Sequence, residues 1–385
     1  MFIHYTLYIP KIVQMSINHH IPVTRPYLPK IEKFIEYLEK VWDSRILSNR
    51  GTFHESYKEE MQKFLKVKHA YPFVNGTIAL ETAIKTLGLH GKEIITTPFT
   101  YVATTLAIMN TGNIPVFCDV KEDGCINEEK IEDLITEKTG ALLPVHVYGN
   151  ICNVKKIEEI AEKKDLYLIY DAAHVLGVEY PIDYGIGNYG DISVFSTHAT
   201  KTLNTFEGGM LAYDNPEMDR IVKLSCNFGL DESYDLVYAG SNGKMNEVQA
   251  IMGILQLKEY DNIRNKRKKI VETYKKELSD IPSLTNFNSD DIIYNYIYYT
   301  ILVENRNELQ EELVRKGITT RKYFSPLTCD TTLLQKMQGH TNNVNKARYL
   351  SDRVLVIPLY AEMTEEETWK VIKEIRKKAE IPTAV

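Results

Sequence analysis

The sequence predicts an α/β protein with a mainly parallel central sheet, followed by a smaller C-terminal α+β domain. Between about residues 68 and 215, short apolar runs alternate with segments of helical period, which is typical of a parallel sheet covered on both faces. After about residue 245 this alternation ends and a long, charged helical segment begins. We therefore divide the chain into an N-terminal extension (1–20), a large domain (21–245) and a smaller domain (246–385).

The elements of the large domain follow from the periodicity of its apolar residues. Buried strands are predicted at the apolar runs 94–97, 114–120, 141–147, 166–170, 192–196 and 209–213. Between several of them, apolar residues recur at spacings of three and four, which predicts helices at 78–87, 128–135 and 154–163. Parallel sheets bind ligands at the carboxyl ends of their strands, so functional side chains are expected just after these runs.

The smaller domain is predicted to have its own sheet. A long helix is expected at 246–278, a tyrosine-rich strand at 294–303 and a second apolar run at 354–359. Helices are predicted at 306–316 and 365–378 from the same spacing rule.

The composition of the chain excludes several classes of function. The 385 residues are 44% hydrophobic and 25% charged, with a net charge of −6, which is ordinary for a globular protein. This charge balance predicts no nucleic-acid partner and no membrane partner. Residues 1–20 lack the basic start and long apolar core of a signal peptide, and Met15 is an alternative start.

The cysteines indicate a reducing, cytoplasm-like compartment. The chain has five of them, an odd and scattered set without a CxxC pair: Cys118, Cys125, Cys152, Cys226 and Cys329. Their spacing does not match that of a structural zinc site, so we expect no metal.

A carboxylate and a lysine follow two of the predicted strands. Asp171 closes the apolar run 166–170, and Lys201 comes shortly after the run 192–196. Pyridoxal phosphate chemistry needs such a pair, because a lysine forms a Schiff base with the cofactor aldehyde and a carboxylate keeps the ring nitrogen protonated. A lone lysine is usually an exposed surface residue. The combination with Asp171 and the strand context nevertheless predicts a pyridoxal phosphate site.

Other residues could bind the rest of such a cofactor. Asn75, Gly76 and Thr77 open a predicted helix, whose free amides can bind phosphate, although an ordinary helix cap explains them equally well. Tyr101 follows a predicted strand and could stack on a flat ring or pack in the core. His174 could hydrogen-bond the cofactor's phenolic oxygen or serve only the structure.

A glycine pattern at 185–190 matches GxGxxG but does not predict a dinucleotide site. That motif must follow a strand and open a helix. Here it precedes the predicted strand 192–196, so we interpret it as a loop or hairpin turn.

The chain resembles the DegT/DnrJ/StrS family of sugar aminotransferases, from about residue 21 to residue 381. The resemblance rests on nine motifs in order: VNGTIAL, TTPFTYVAT, PVFCDV, PVHVYGN, YDAAHVLG, GDISVFSTHATK, EGGM, SNGKMNE and GITTRKYFSPL. It implies fold type I of the pyridoxal phosphate enzymes. It also implies a cytoplasmic homodimer whose active sites are shared between the subunits.

The resemblance implies a role for each matched residue. Lys201 would hold the cofactor and shuttle the proton, Asp171 would pair with the ring nitrogen, and His174 would lie near the phenolic oxygen. Tyr101 and Ala173 would cover the two ring faces. The phosphate would be bound by Gly76, Thr77 and Ser196, and by Asn242 from the other subunit.

Some family members have histidine in place of the lysine and catalyse dehydration, which Lys201 argues against. The segments IPVTRPYLP, ILSNRG and THATKTLNTFEGG look most like the viosamine-forming branch. That branch aminates carbon 4 of a nucleotide-linked 4-keto-6-deoxyglucose, with dTDP or UDP as the nucleotide and glutamate as the donor. It more often has phenylalanine where Thr197 stands.

The substrate contacts and the reaction have alternatives. Lys244 and Arg321 could bind the nucleotide diphosphate or be ordinary exposed residues. Amination of carbon 3, a different keto nucleotide sugar, a non-catalytic binding protein and a nicotinamide-dependent oxidoreductase are the alternative functions.

Overall fold

The computed structural model describes residues 20–285, 287–336 and 343–381. The predicted N-terminal extension, with Met15, lies outside the described residues except for His20. The central sheet has seven strands: β1 His69–Phe73, β2 Glu93–Thr96, β3 Ile114–Phe117, β4 Thr139–Leu143, β5 Tyr167–Asp171, β6 Ile192–Ser196 and β7 Gly209–Tyr213. A separate two-stranded sheet pairs β8 Tyr299–Leu302 with β9 Val354–Ile357.

The central sheet is mainly parallel, as predicted. Its strand order is β1-β7-β6-β5-β4-β2-β3, and the strands from β6 to β3 all pair in parallel. Only β7 runs against its neighbours β6 and β1. The carboxyl ends of β1, β2, β5 and β6 therefore lie at the same edge.

Helices cover both faces of the sheet and surround the smaller one. They are α1 Ile31–Ser44, α2 Thr52–Leu65, α3 Gly76–Thr86, α4 Val102–Asn110, α5 Val154–Lys164, α6 Glu217–Cys226, α7 Glu247–Glu277, α8 Arg306–Arg315, α9 Thr332–Lys336, α10 Asn345–Arg353 and α11 Glu365–Lys378. No helix in the described part of the chain is long and apolar enough to cross a membrane.

The long helix α7 packs on both parts of the molecule. Near its start, Ile251 and Leu255 form an apolar cluster with Val41 of α1. Further along, Ile270 and Tyr274 lie in the core beneath the two-stranded sheet. The predicted domain boundary falls next to the start of this helix and stays a prediction, because α7 belongs to both cores.

The prediction of a helix at 128–135 is wrong. The segment forms two separate 3-10 turns, Glu128–Lys130 and Glu132–Leu134. Glu128 is buried and its carboxylate lies 2.9 Å from Lys121 Nζ, while Ile135 has extended backbone. So short a segment forms few of the hydrogen bonds that stabilise a helix. Contacts such as that between Glu128 and Lys121 therefore decide its conformation.

The strand predicted at 294–303 is shorter than expected, because only Tyr299–Leu302 pairs as β8. Tyr296 has φ of 53°, which no β-strand accommodates. The fully buried Asn295 side chain donates to the carbonyl oxygens of His174 (2.9 Å) and Leu176 (3.1 Å). The start of the segment is thereby attached to the loop after β5.

Candidate active site

A cavity of about 490 Å³ lies at the edge where the parallel strands end. Eight of the predicted residues line it: Gly76, Thr77, Tyr101, Asp171, Ala173, His174, Ser196 and Lys201. They lie at the carboxyl ends of β5 and β6 or in the segments that follow β1, β2, β5 and β6, which are far apart in sequence. The topology thus brings these eight residues into a single cavity, whereas Asn242, the other predicted cofactor residue, is not part of its lining.

Asp171 is the last residue of β5, and only 5% of its surface is exposed. One carboxylate oxygen accepts a hydrogen bond from the Thr104 hydroxyl (2.7 Å), and the other accepts one from the Ala173 amide (3.1 Å). Burial raises the pKa of Asp171, and the Thr104 hydrogen bond opposes that rise. An ionised carboxylate has about four acceptor positions, so it can accept a further hydrogen bond from a cationic ligand in the cavity.

Lys201 lies in the turn after β6, where its amide donates to the carbonyl oxygen of His198 (2.9 Å). Burial lowers the pKa of Lys201 to about 8, and the Asp171 carboxylate partly opposes this shift. At pH 7 about a tenth of the amine is therefore uncharged, far more than for an exposed lysine. The uncharged amine is the form that can attack a carbonyl carbon.

His174 is a neutral hydrogen-bond donor towards the cavity. Burial, together with the positive charge of Lys201, holds its pKa well below the usual range of histidine. Its Nδ1 accepts a hydrogen bond from the Tyr148 amide (3.2 Å), so the proton of the neutral ring is on Nε2. The parallel ring of Phe324, 6.0 Å away, fixes the plane of the imidazole.

The start of α3 forms an anion-binding cradle. Asn75 caps the helix by accepting from the Ile78 amide (2.9 Å), while the Gly76 and Thr77 amides belong to the first turn, which has no partners within the helix. Ser196 borders the same space, since a Cβ built on Gly76 would lie 3.6 Å from its hydroxyl. Free amides at the positive end of a helix suit a phosphate group.

Glycine is required at position 209 for this cradle to form. A Cβ on Gly209 would lie 2.6 Å from the carbonyl oxygen of Asn75 and 2.8 Å from the Cα atom of Gly76. Both contacts are with backbone, so a side chain would push β7 and the start of α3 apart.

The residues that line the cavity fit pyridoxal phosphate in their chemistry. The cavity has a buried carboxylate for the ring nitrogen, a lysine for the aldehyde, a neutral imidazole donor for the phenolic oxygen and a helix start for the phosphate. Hydrogen bonds within the chain already orient the carboxylate, the imidazole and the helix start.

Three of the predicted residues lie outside this cavity. Asn242 is exposed, and its side-chain oxygen accepts a hydrogen bond from Lys244 Nζ (2.8 Å). Lys244 Nζ also lies 4.5 Å from the centroid of the Phe228 ring. Arg321 is also exposed, and its backbone pairs with Val356. Their predicted contacts with phosphate or substrate stay predictions.

Tyr101 is 60% exposed at the start of α4, with its ring free to be covered. Sequence reasoning gave no role to several residues that line the cavity, among them Thr100, Tyr298, Tyr323 and Phe324, or to Thr104 behind Asp171. Tyr298 belongs to the tyrosine-rich run of the smaller domain, which was a usable signal. Thr104 closes the motif TTPFTYVAT, but no role was predicted for it, since its partner Asp171 lies 67 positions further along the chain.

Thr197, at which the chain departs from the viosamine-forming pattern, is turned away from the cavity. It is fully buried, and its hydroxyl lies 2.7 Å from that of Thr205. This substitution therefore changes the support behind Lys201 and leaves the residues that line the cavity as they are.

Comparison with known proteins gives a consistent result. Residues 29–376 match the model of the DegT/DnrJ/EryC1/StrS aminotransferase family. Two curated relatives, from Shigella dysenteriae and Escherichia coli, are each 38% identical and are both called dTDP-4-amino-4,6-dideoxy-D-glucose transaminase. Each alignment covers 92% of this chain, with 98% of the Shigella protein and 97% of the Escherichia coli protein.

The fold also matches that of solved structures. The crystal structure of DesI in the presence of its TDP-sugar product superposes with a TM-score of 0.88 at 28% identity. That match covers 94% of this chain and 93% of DesI.

Proposed function

The chain belongs to the DegT/DnrJ/EryC1/StrS aminotransferase family, and we propose that it is a pyridoxal phosphate-dependent nucleotide-sugar aminotransferase. Its substrate is the 4-keto-6-deoxyglucose of a nucleotide sugar, its product the 4-amino-4,6-dideoxyglucose, and its amino donor L-glutamate. The observation that supports this most directly is the single cavity shared by Lys201, Asp171 and the start of α3. The names of the two curated relatives favour carbon 4 and dTDP.

The residues of the chain act on the substrate in defined ways. When bound, pyridoxal phosphate supplies the aldehyde that accepts the amino group and the ring that withdraws electrons. The amides of Gly76 and Thr77 and the Ser196 hydroxyl bind its phosphate, and the Asp171 carboxylate holds its ring nitrogen protonated. The Lys201 amine, uncharged in part because of its burial, takes a proton from the donor and returns one to the sugar carbon.

The test is a reaction of the purified protein with dTDP-4-keto-6-deoxyglucose, L-glutamate and pyridoxal phosphate. We expect an amino sugar whose NMR spectrum places nitrogen on carbon 4, and no product with a Lys201→Ala variant. An amine on carbon 3, or turnover only with a UDP sugar, would correct the position or the nucleotide. No uptake of cofactor would overturn the proposal and favour a binding protein, and a requirement for NAD would favour an oxidoreductase.

The proposal includes a homodimer with shared active sites. Large apolar side chains are exposed on α1 and just after it, where Trp42 is 68% exposed, and such surfaces usually mark contacts. The same helix lies near the cavity, because Phe34, on its inner side, packs edge-on against Phe206 at 6.1 Å, and the neighbouring Glu207 lines the cavity. In the proposed dimer, Asn242 of the second copy would contact the phosphate.

A mixing experiment tests this arrangement. Lys201→Ala and Asn242→Ala subunits should each have little activity, but mixed dimers should regain part of it, because one of their two sites then has both residues. Failure to regain activity in mixed dimers would contradict a site shared between subunits. The proposal also places the enzyme in the cytoplasm, which the five buried free thiols support.

A further inference from the structure

Behind the carboxylate of Asp171 lies a short chain of hydrogen-bonded hydroxyl groups. The Thr104 hydroxyl is 2.7 Å from Asp171 Oδ2, and the Thr100 hydroxyl is 2.8 Å from that of Thr104. All three residues are at least 95% buried. Thr104 lies in the first turn of α4, and Thr100 lies in the loop just before Tyr101, the N-cap of that helix.

The direction of these hydrogen bonds follows from counting protons. A threonine hydroxyl has one hydrogen, and an ionised carboxylate only accepts. Thr104 must therefore donate to Asp171 and accept from Thr100. This series of hydrogen bonds is polarised from Thr100 towards the carboxylate, and each bond strengthens the next.

Thr104 differs in this from a threonine that serves only its own helix. At the other end of α4, the Thr111 hydroxyl donates to the carbonyl oxygens of Ala107 (2.8 Å) and Ile108 (2.9 Å), which is the usual local pattern. The Thr104 hydroxyl instead reaches across to β5. A carboxylate this deeply buried favours its neutral form unless hydrogen bonds stabilise its charge.

We propose that Thr104, with Thr100 behind it, is a positioning residue that keeps Asp171 ionised and aimed at the ring nitrogen of the cofactor. The inference rests on the proposed function, because it needs pyridoxal phosphate in this cavity. Without the Thr104 hydroxyl, the Asp171 carboxylate would be less stable in its ionised form and would keep the ring nitrogen protonated less well. The ring would then be a weaker electron acceptor. The other titratable groups that affect Asp171, Lys201 and His146, remain in place in the variants below.

The test uses the holoenzyme loaded with pyridoxal phosphate that carries ¹⁵N in the ring. The ¹⁵N chemical shift reports the protonation of the ring nitrogen, and a titration of the apoprotein gives the dissociation constant of the cofactor. We expect Thr104→Val to move the shift towards that of a neutral pyridine. A protonated Asp171 would have to lose its proton before it could pair with the protonated ring nitrogen, so cofactor binding should also weaken, by roughly tenfold for a rise of one unit in the pKa of Asp171. Thr104→Ser should behave as the wild type.

Thr105→Val is the matched control. Thr105 is the next residue of α4 and is also buried, but its hydroxyl has no hydrogen-bond partner among the described residues. The same change of side chain there should leave both the shift and the affinity unchanged. Thr100→Val is a second test that leaves Thr104 in contact with Asp171, and it should give a smaller change in the same direction.

The outcomes separate the inference from the proposed function. If the wild type loads cofactor and Thr104→Val keeps its shift and affinity, the inference is overturned while the function stands. If Thr104→Val does not fold, Thr100→Val decides, and a wild-type shift and affinity in that variant overturn the inference. If the wild type takes up no cofactor, the proposed function falls, and the inference with it.

Discussion

Replacing Gly76 by alanine should separate the stability of the fold from its affinity for the cofactor. Gly76 is the first residue of α3, and its backbone does not have the positive φ that would exclude a side chain. A Cβ there would lie 3.5 Å from the Cβ and 3.6 Å from the hydroxyl oxygen of Ser196, which are ordinary contact distances. The methyl group would nevertheless occupy the space between two predicted phosphate ligands.

The two effects have opposite signs. A glycine-to-alanine change at a compatible position stabilises a protein by about 0.4–1 kcal/mol, because the unfolded chain loses freedom. Displacing the phosphate from one of its charged hydrogen bonds costs about 1.5–3 kcal/mol. The variant should therefore unfold at equal or higher denaturant concentration, yet bind pyridoxal phosphate roughly ten- to hundredfold more weakly.

Two measurements on the same preparation check this prediction. Urea unfolding of the apoprotein gives the free energy of unfolding, and a fluorescence titration gives the dissociation constant of the cofactor. Gly209→Ala is the contrasting variant, because its Cβ would lie 2.6 Å from a backbone oxygen of Asn75. That overpacking should lower the free energy of unfolding by about 1–3 kcal/mol.

Unchanged cofactor affinity in Gly76→Ala would refute the reasoning, because it would place the phosphate elsewhere. A large loss of stability in that variant would show that the space beside Ser196 is smaller than the structure indicates.

Three further predictions concern the turn that carries Lys201. Lys201→Ala should remain folded but lose the visible absorbance band that the wild type gains with pyridoxal phosphate, and a retained band would assign the aldehyde to another amine. In the wild-type apoprotein, the rate at which Lys201 binds the cofactor covalently should rise with pH through about 8, because burial lowers the pKa of Lys201 to about 8 and only the uncharged amine attacks. Stopped-flow absorbance measures this rate, and a rate that does not depend on pH would contradict the prediction. Thr197→Phe should lower the free energy of unfolding by about 1–3 kcal/mol, because Thr197 is fully buried against Thr205. Urea denaturation measures this free energy, and an unchanged value would show that the region accommodates the larger ring.

The sequence predicted the elements that are defined by local periodicity. The strand Ile192–Ser196 and the helix Glu365–Lys378 have the predicted bounds, because apolar spacing and end signals coincide in both. The strand His69–Phe73 was missed, since Pro72 interrupts its pattern and its partner β7 is far away in the chain. Contacts with distant residues decided the conformation there.

In the active site, too, the features set by local sequence were predicted and those set by distant contacts were not. Asp171 and Lys201 were predicted because the chemistry needs those residue types at the ends of strands. The role of Thr104 was not predicted, because it depends on the 2.7 Å distance between its hydroxyl, on α4, and the Asp171 carboxylate at the end of β5. Tyr298 reaches the cavity only because Asn295 attaches its segment to the loop after β5.

This attachment suggests how one fold could serve several sugars. The groups that hold the cofactor come from the edge of the central sheet, whereas Tyr298, Tyr323 and Phe324 line the cavity from the second part of the chain. His174 contacts both, because its ring is parallel to Phe324 while its Nδ1 is held by the Tyr148 amide. Substitutions among these aromatic residues can therefore reshape the space for the sugar while Lys201 and Asp171 keep their geometry. The residues of the proposed reaction therefore lie at the strand ends, whereas this aromatic wall belongs to the second part of the chain.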